Sequence, residues 1–256
     1  MYVSFRSSKI YYSSQGQGDP LVLLHGFLES SRIWEPFIPT WAVKRRVICI
    51  DLPGHGQSEV LDSVHSMELF AEVVHSLLKQ LDLDRVNLLG HSMGGYVSLA
   101  YLDRYPDMVG KIILLNSSAA GDSKDRRENR DRAASLVKKN KVAFIGMAIS
   151  NLLLPENYQV FKDYLKTMKH EAMGFPLKGI IGAINGMKNR SDRTEVLKNF
   201  QGEKYFLAGK SDHIVSIQEA RKQAFASGAD LLEFPGGHLS YLEAASELEE
   251  FMQLID

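Results

Sequence analysis

The chain has 256 residues with 45% hydrophobic and 24% charged side chains, ordinary values for one large globular domain. Thirty basic and 31 acidic side chains give a formal charge of −1, so we expect neither nucleic acid nor an acidic membrane as a partner. The single cysteine excludes an internal disulfide. No signal peptide or membrane-spanning run is evident in the sequence, and the expected location is the cytoplasm.

Short apolar runs alternate along the chain with longer segments of helical period. Residues 2–14 alternate aromatic, β-branched and polar side chains and predict an antiparallel hairpin at a sheet edge. Six later runs have the composition of strands buried on both faces of a parallel sheet: residues 21–24, 46–51, 86–89, 111–115, 204–208 and 230–234. Helices are predicted at residues 67–81, 94–105, 217–227 and 241–254. This rhythm predicts an α/β fold with helices on both faces of the sheet.

The rhythm stops between residues 119 and 200, where helical pieces replace strands. The first part of this stretch, residues 121–128, is highly charged and is expected to be solvated. Later pieces carry apolar stripes: Phe144, Ile145, Met147, Ile149 and Leu152; Phe161, Tyr164, Leu165 and Met168; Ile180, Ile181, Ile184 and Met187. Two interpretations stay open. The stripes pack only on one another in a helical subdomain, or the subdomain is also a lid whose inner face lines a substrate cavity.

The strongest motif follows the strand at residues 86–89. Residues 90–95 read Gly-His-Ser-Met-Gly-Gly and precede a helix, which is the strand–turn–helix context of a G-x-S-x-G nucleophile turn. Such a turn strains the backbone of Ser92, and side chains two residues away on either side would collide. The Met93 N–H then points at the same space and can donate to an oxyanion. The alternative is a glycine-rich turn with an incidental serine.

A second oxyanion donor is predicted after the first parallel strand. That strand, residues 21–24, is followed by His25-Gly26-Phe27, and the Phe27 N–H is the natural candidate. His25, His55 and His91 lie near strand ends but flank glycines or other turn residues, so we interpret them as structural. No His, Asp or Glu cluster has the spacing of metal ligands, and no metal or other cofactor is expected.

A serine nucleophile needs a base near pKa 7, and a carboxylate must orient that base. Asp212 follows the strand at residues 204–208, and His238 follows the last strand, residues 230–234. Both lie at the carboxyl end of their strands, the sheet edge that also carries Ser92. His213 is the rival base, but choosing it would leave Gly237-His238 without a role. For Asp212 the alternative is an aspartate that only forms a turn.

With these motifs in place, the chain resembles the α/β-hydrolase superfamily over nearly its whole length. The resemblance lies in residues 25–27 (HGF), 51–58 (DLPGHGQS), 90–95 (GHSMGG), 209–212 (GKSD) and 237–238 (GH). It implies an eight-stranded, mostly parallel sheet with a helical cap inserted after the sixth strand. The cap would be residues 119–200, and the core domain would be residues 1–118 and 201–256.

Within that superfamily, the residues favour a serine branch. Ser92 argues against the dehalogenase and epoxide hydrolase branches, which have aspartate there. The segment 238–243 is similar to that of carboxylesterases and enol-lactonases, whereas carbon–carbon bond hydrolases often have tryptophan where this chain has Leu239. The leading hypothesis is therefore an esterase for small to medium, largely apolar, ester-like substrates. The alternatives are a lactonase, thioesterase, carbon–carbon hydrolase or lyase with the same residues, and a ligand-binding receptor with a hydrolase shell.

Overall fold

The computed structural model describes residues 1–255, which build one eight-stranded sheet with helices on both faces. The strands are β1 (Tyr2–Phe5), β2 (Ser8–Gln15), β3 (Asp19–Leu24), β4 (Arg45–Ile50), β5 (Val86–His91), β6 (Val109–Leu115), β7 (Glu203–Gly209) and β8 (Asp230–Phe234). Their order is β1-β2-β4-β3-β5-β6-β7-β8. The β1–β2 and β2–β4 pairs are antiparallel and all others are parallel, so the α/β fold and the edge hairpin are confirmed.

Eleven α-helices are described in residues 1–255. They are α1 (Ile38–Trp41), α2 (Met67–Gln80), α3 (Met93–Arg104), α4 (Lys124–Lys139), α5 (Lys141–Ser150), α6 (Lys162–Gly174), α7 (Leu177–Lys188), α8 (Thr194–Asn199), α9 (Ile217–Ser227), α10 (Ser240–Glu243) and α11 (Ala245–Leu254). The helix predicted over residues 241–254 is two helices, because Ala244 leaves the helical region with φ −138° and ψ 43°. None of the helices in the described part is long and apolar enough to cross a membrane.

The central strands bury both of their faces, which explains their unbroken apolar sequences. In β3, Val22 and Leu24 belong to the core that packs on α2 and α3, whereas Leu21 and Leu23 belong to the core on the opposite face. Successive side chains of a strand point to opposite faces, so a strand with a core on each side needs an apolar residue at every position. The carboxyl ends of these strands form the edge that carries the candidate site.

Helices α4 to α8 lie between β6 and β7, and we use "the cap" for residues 119–200, which contain them. On one side of the cap, its backbone lies close to the backbone of the core. A Cβ on Gly54 would lie 2.7 Å from the Cα of Gly179 in α7, and a Cβ on Gly186 would overlap the carbonyl oxygen of His65. The His65 N–H also donates to the carbonyl of Gly182 at 3.0 Å. Glycines three and four residues apart give α7 the smooth face that this close approach requires.

Candidate active site

Ser92 lies in the sharp turn between β5 and α3. Its φ of 49° and ψ of −112° are strained for a residue with a side chain. A Cβ on Gly90 would overlap the backbone of Gly94, and a Cβ on Gly94 would overlap the carbonyl of Leu24. Glycine is therefore required at both positions for steric reasons. The turn leaves the Ser92 hydroxyl at the carboxyl edge of the sheet, facing a cavity.

The structure brings the three side chains singled out in the sequence into one chain of contacts. The Nε2 of His238 lies 3.0 Å from the Oγ of Ser92, and its Nδ1 lies 2.8 Å from the Oδ2 of Asp212. Both distances are those of hydrogen bonds. His238 and Asp212 are buried. A hydroxyl, an imidazole and a carboxylate in this order form the arrangement that activates a serine hydroxyl.

The carboxylate of Asp212 is held in its ionised form by its surroundings. Burial opposes the charge, but the attraction and hydrogen bond of His238 and further donors outweigh burial and lower the pKa to about 2. The N–H groups of Ile214 and Val215 donate to Oδ1 at 2.8 and 3.0 Å. Oδ1 of Asp212 is thus held by two backbone N–H groups, while Oδ2 faces the imidazole of His238.

Asn116 is a site residue that the sequence reasoning missed. Its Nδ2 donates to Asp212 Oδ2 at 3.0 Å and to the carbonyl of Gly237 at 3.1 Å, so it joins the loops that carry the acid and the base. Asn116 directly follows β6 and has a left-handed φ of 46°. Asparagine tolerates this conformation better than most residues. Its position at the carboxyl end of a parallel strand was the available signal.

The backbone N–H groups of Met93 and Phe27 were predicted to be the oxyanion donors. Met93 is the first residue of α3, where a backbone N–H has no intrahelical acceptor. Phe27 lies in the turn after β3 and lines the same cavity as Ser92. Within residues 1–255, neither N–H donates to another protein group. Both are therefore free to bind an oxygen that arrives with a ligand.

A second buried pair, Glu29 and His91, lies beside the site. The sequence analysis interpreted His91 as structural but did not predict its contact with Glu29. Glu29 Oε2 is 2.9 Å from Nδ1 of His91, and it accepts from the Gly26 N–H at 2.6 Å. Burial disfavours both charges, but the two groups attract and hydrogen-bond each other, which raises the pKa of His91 and lowers that of Glu29. The other ring nitrogen of His91 lies 2.9 Å from the His238 carbonyl and donates to it.

The remaining histidines near the site contact backbone groups instead of Ser92. His25 accepts from the Leu52 N–H at 2.9 Å through Nε2, and its Nδ1 lies 2.7 Å from the Gly26 carbonyl. The Nδ1 of His55 lies 3.3 Å from the carbonyl of Pro53. His213, the rival base, is exposed and its Nε2 lies 2.6 Å from the carbonyl of Asn151 in the cap.

A cavity of about 500 Å³ lies over Ser92, between the core and the cap. Its apolar wall includes residues from two of the predicted stripes: Phe144, Leu152, Ile184 and Met187. Residues from the stripe 161–168 do not line it and instead belong to the core cluster below the cap. In the described residues the cap therefore does both things that the sequence left open: it packs on itself, and it lines a cavity.

In the charged start of the cap, residues 123–125, 127 and 128 are exposed as expected, but Asp122 is buried and Arg126 is half-buried. Asp122 is buried and pairs with Arg190 at 2.6 Å and with Arg130 at 3.2 Å. Arg126 and Arg130 line the Ser92 cavity. Composition alone does not reveal this burial. A charged residue is buried only where a residue of opposite charge pairs with it, and here the partner Arg190 is distant in sequence. Among residues 1–255, no group of three or more His, Cys, Asp or Glu is placed to hold a metal ion.

Comparison with known proteins agrees with this fold. A family model described as the alpha/beta hydrolase fold matches residues 19–245. A thermophilic esterase from Thermogutta terrifontis, solved with malate bound, superposes with a TM-score of 0.91 and 27% identity, covering 98% of this chain and 94% of that one.

Two curated proteins are similar in sequence. A dihydrolipoyllysine-residue acetyltransferase component of an acetoin cleaving system from Pseudomonas putida is 32% identical over 248 residues, 92% of this chain and 62% of that protein. A 2-hydroxy-6-oxononadienedioate/2-hydroxy-6-oxononatrienedioate hydrolase from Escherichia coli strain K12 is 36% identical over 124 residues, 46% of this chain and 43% of that protein. The chain thus spans less than two thirds of either relative. The family match and the strand order together show that the chain belongs to the α/β-hydrolase fold family.

Proposed function

We propose that this protein is a serine hydrolase that cleaves carboxylic esters through an acyl-enzyme. The observation that carries the proposal is the pair of contacts made by one imidazole, 3.0 Å to the Ser92 hydroxyl and 2.8 Å to the Asp212 carboxylate. The family match and the likeness to an esterase support it.

In the proposed mechanism, His238 removes the proton of the Ser92 hydroxyl as Oγ attacks the ester carbonyl carbon. The carbonyl oxygen becomes an oxyanion and accepts hydrogen bonds from the Phe27 and Met93 N–H groups. When the carbon–oxygen bond to the alcohol breaks, His238 gives its proton to the leaving alkoxide. Water then attacks the acyl-enzyme with His238 as base, which releases the acid and restores Ser92. Asp212 keeps the imidazole oriented and stabilises its charged form.

The cavity supports a small to medium acyl group, since about 500 Å³ lies within the range of small-molecule sites. Residues 119–200 would act as the cap that roofs this site and lines it with apolar side chains. A second candidate is hydrolysis of a carbon–carbon bond in a keto acid, supported by the 36% identity over 124 residues to a protein named as a 2-hydroxy-6-oxononadienedioate/2-hydroxy-6-oxononatrienedioate hydrolase. A lactone, a thioester or a lyase substrate would use the same three residues.

The test is labelling with a fluorescent fluorophosphonate, followed by hydrolysis of p-nitrophenyl butyrate. Wild-type protein should be labelled and active, and Ser92→Ala should lose both properties. Ser135→Ala, which changes an exposed serine on α4, is the matched control and should keep both. Labelling that persists in Ser92→Ala would contradict the proposal. Faster turnover of a thioester or a vinylogous diketone would favour the alternatives, and ligand binding without any turnover would indicate a receptor.

A further inference from the structure

One face of α4 supplies polar and cationic side chains to the cavity over Ser92. Arg126, Asn129, Arg130 and Ala133 all line it, and their spacing of three and four residues places them on one side of the helix. A cavity made only for an apolar acyl group has no need of guanidinium groups in its wall. The two arginines therefore require a separate explanation.

The two arginines differ in how their charges are balanced. Nη2 of Arg126 donates to the carbonyl of Ile214 at 2.9 Å and to Glu219 Oε2 at 3.0 Å. These bonds fix the position of the side chain, and Glu219 balances its charge. Arg130 reaches Asp122 through Nε alone, at 3.2 Å. Within the described residues, Nη1 and Nη2 of Arg130 donate to no other group, and its side chain remains 25% exposed.

Asp122 does not neutralise Arg130 alone, because it also pairs with Arg190. The Arg190 guanidinium donates to Asp122 Oδ1 at 2.6 Å, with the two side chains 2% and 0% exposed. Nε and Nη2 of Arg190 have no hydrogen-bond partner in residues 1–255. The guanidinium carbon stacks 4.0 Å from the ring centre of Tyr96, which lines the cavity. Asp122 thus serves two guanidinium groups, and Asp192 also attracts Arg190. The terminal nitrogens of Arg130 at the cavity wall keep no acceptor among the described residues.

The other acidic side chain of the cavity does not take up this charge. Glu29 lines the cavity, but its oxygens accept from the Gly26 N–H, from His91 and from the Tyr241 hydroxyl. The terminal nitrogens of Arg130, which lines the same cavity as Ser92, are therefore available to a ligand. The terminal nitrogens of an arginine match the two oxygens of a carboxylate better than any other common group.

We propose that Arg130 binds a carboxylate of the substrate, so that the preferred ester carries an ionised carboxylate on its acyl chain in addition to the bond that is cleaved. This inference rests on the proposed ester hydrolysis and narrows its substrate class. Arg130 is then a specificity-determining residue, and Asp122 is a positioning residue that holds its Nε. The apolar side chains of the cavity contact the methylene groups between the two ends.

The test compares mono-p-nitrophenyl esters of adipate, pimelate and suberate with the neutral p-nitrophenyl esters of hexanoate, heptanoate and octanoate. Wild-type protein should prefer the anionic ester at one or more chain lengths. Arg130→Met should lower kcat/KM for that ester by about 10- to 100-fold, since a hydrogen bond to a charged group has that weight. The ratio of kcat/KM for the anionic ester to that for the neutral ester should fall by the same factor, since the neutral ester has no carboxylate for Arg130 to bind.

Two further variants separate charge, geometry and folding. Arg130→Lys keeps a positive charge that can pair with Asp122, but it lacks the two terminal nitrogens that bind both oxygens of a carboxylate. The variant should therefore retain part of the preference for the anionic ester. Lys138→Met removes a positive charge from an exposed position of the same helix and should leave the preference unchanged. Equal ratios of anionic to neutral kcat/KM in wild type and Arg130→Met would overturn the inference. So would a preference of the wild type for the neutral ester at every length.

Binding provides a measurement that does not depend on hydrolysis. Calorimetry of monomethyl adipate with Ser92→Ala and with the double variant Ser92→Ala/Arg130→Met should give affinities that differ by about 10- to 100-fold. Equal affinities would overturn the Arg130 assignment. If Ser92→Ala still hydrolysed esters, the proposed function would fail, while this binding difference would still report on Arg130.

Discussion

His91 and Glu29 form a buried hydrogen-bonded pair, with 2.9 Å between Nδ1 and Oε2, that joins two loops of the site. Glu29 holds the Gly26 N–H, next to the proposed oxyanion donor Phe27, and His91 holds the carbonyl of His238. The pair thus fixes the position of an oxyanion donor relative to the base, although neither side chain is proposed to take part in the chemistry. In this respect the two residues are positioning residues for the site.

Glu29→Gln should therefore damage both stability and turnover. Between pH 4.5 and 6.5, where the directions of both pKa shifts favour the charged pair, removing one partner leaves the other charge without compensation, which costs about 3–5 kcal/mol. Misplacing the donor or the base should lower kcat by about 10- to 100-fold with little change in KM. Urea unfolding and steady-state kinetics measure the two effects. Glu72→Gln breaks only surface pairs with Arg6 and Arg104 and should cost about 1 kcal/mol or less, without a change in kcat.

The stabilisation from this pair should depend on pH in a defined window. The pKa of Glu29 is lowered from 4.5, so its contribution is present above pH 4.5 and is lost as the pH falls through the folded value. The pKa of His91 is raised from 6.5, so its contribution is present below pH 6.5 and is lost as the pH rises through the folded value. The difference in unfolding free energy between wild type and Glu29→Gln should be largest between pH 4.5 and 6.5. A difference that is constant from pH 4 to pH 9 would contradict an ion pair.

Asp212→Asn should separate orientation of the imidazole from overall folding. The variant should lose about 10⁴-fold in kcat, since an amide favours the wrong tautomer of His238. The pKa of Asp212 is lowered from 3.8 to about 2, so its contribution of about 2 kcal/mol holds above pH 3.8 and is lost as the pH falls toward 2. The stability difference between wild type and variant should therefore narrow between pH 4 and pH 3 in urea unfolding. An unchanged kcat would show that Asp212 does not orient the base.

Ser92 and His238 should behave as one unit in kinetics. Each single alanine variant should reduce kcat by about 10⁴-fold or more, because neither group acts without the other. The double variant should be no slower than the slower single variant, as judged from p-nitrophenyl butyrate hydrolysis. Multiplied losses in the double variant would mean that the two side chains act independently, despite the 3.0 Å between Oγ and Nε2.

Adding a single methyl group at the contact between α7 and the core should lower the stability of the protein. Gly54→Ala places a Cβ 2.7 Å from the Cα of Gly179 and forces alanine to a φ of 79°. The strain should lower the unfolding free energy by about 1–3 kcal/mol. Gly146→Ala is the matched control: its Cβ meets nothing within 4 Å inside α5, and it should stabilise the protein by about 0.5–1 kcal/mol. Thermal unfolding of both variants gives the comparison, and a stabilised Gly54→Ala would contradict the close approach.

Much of the fold and the central contacts of the site follow from local sequence. Residues 21–24 of β3 are all apolar because a core lies on each side, and that pattern alone predicts a buried parallel strand. Ser92, Asp212 and His238 each follow a parallel strand, so their meeting at one edge follows from the direction of the chain. Burial on both faces was wrongly predicted for residues 230–234, because β8 is the last strand of the sheet and only Phe234 in it is buried. The break at Ala244 was not predicted, because the apolar period continues through it.

The groups that the sequence did not reveal depend on contacts between distant segments. Glu29 and His91 are 62 residues apart, and Asn116 and Asp212 are 96 residues apart. Arg130 belongs to a run of charged residues whose composition is typical of a solvated segment. In the structure it pairs with Asp122, which is buried together with Arg190. No local period encodes such partners, because their pairing is decided by how the cap packs.

The glycine face of α7 has a consequence for how molecules enter and leave. Along that side the cap backbone touches the core backbone, so moving it away would break the His65–Gly182 hydrogen bond and open a tightly packed seam. The exposed residues Asn129, Asn151 and His213 also line the cavity, and none of them belongs to this seam. In the proposed ester hydrolysis we therefore expect substrate and products to pass on their side, where no backbone contact of α7 has to break.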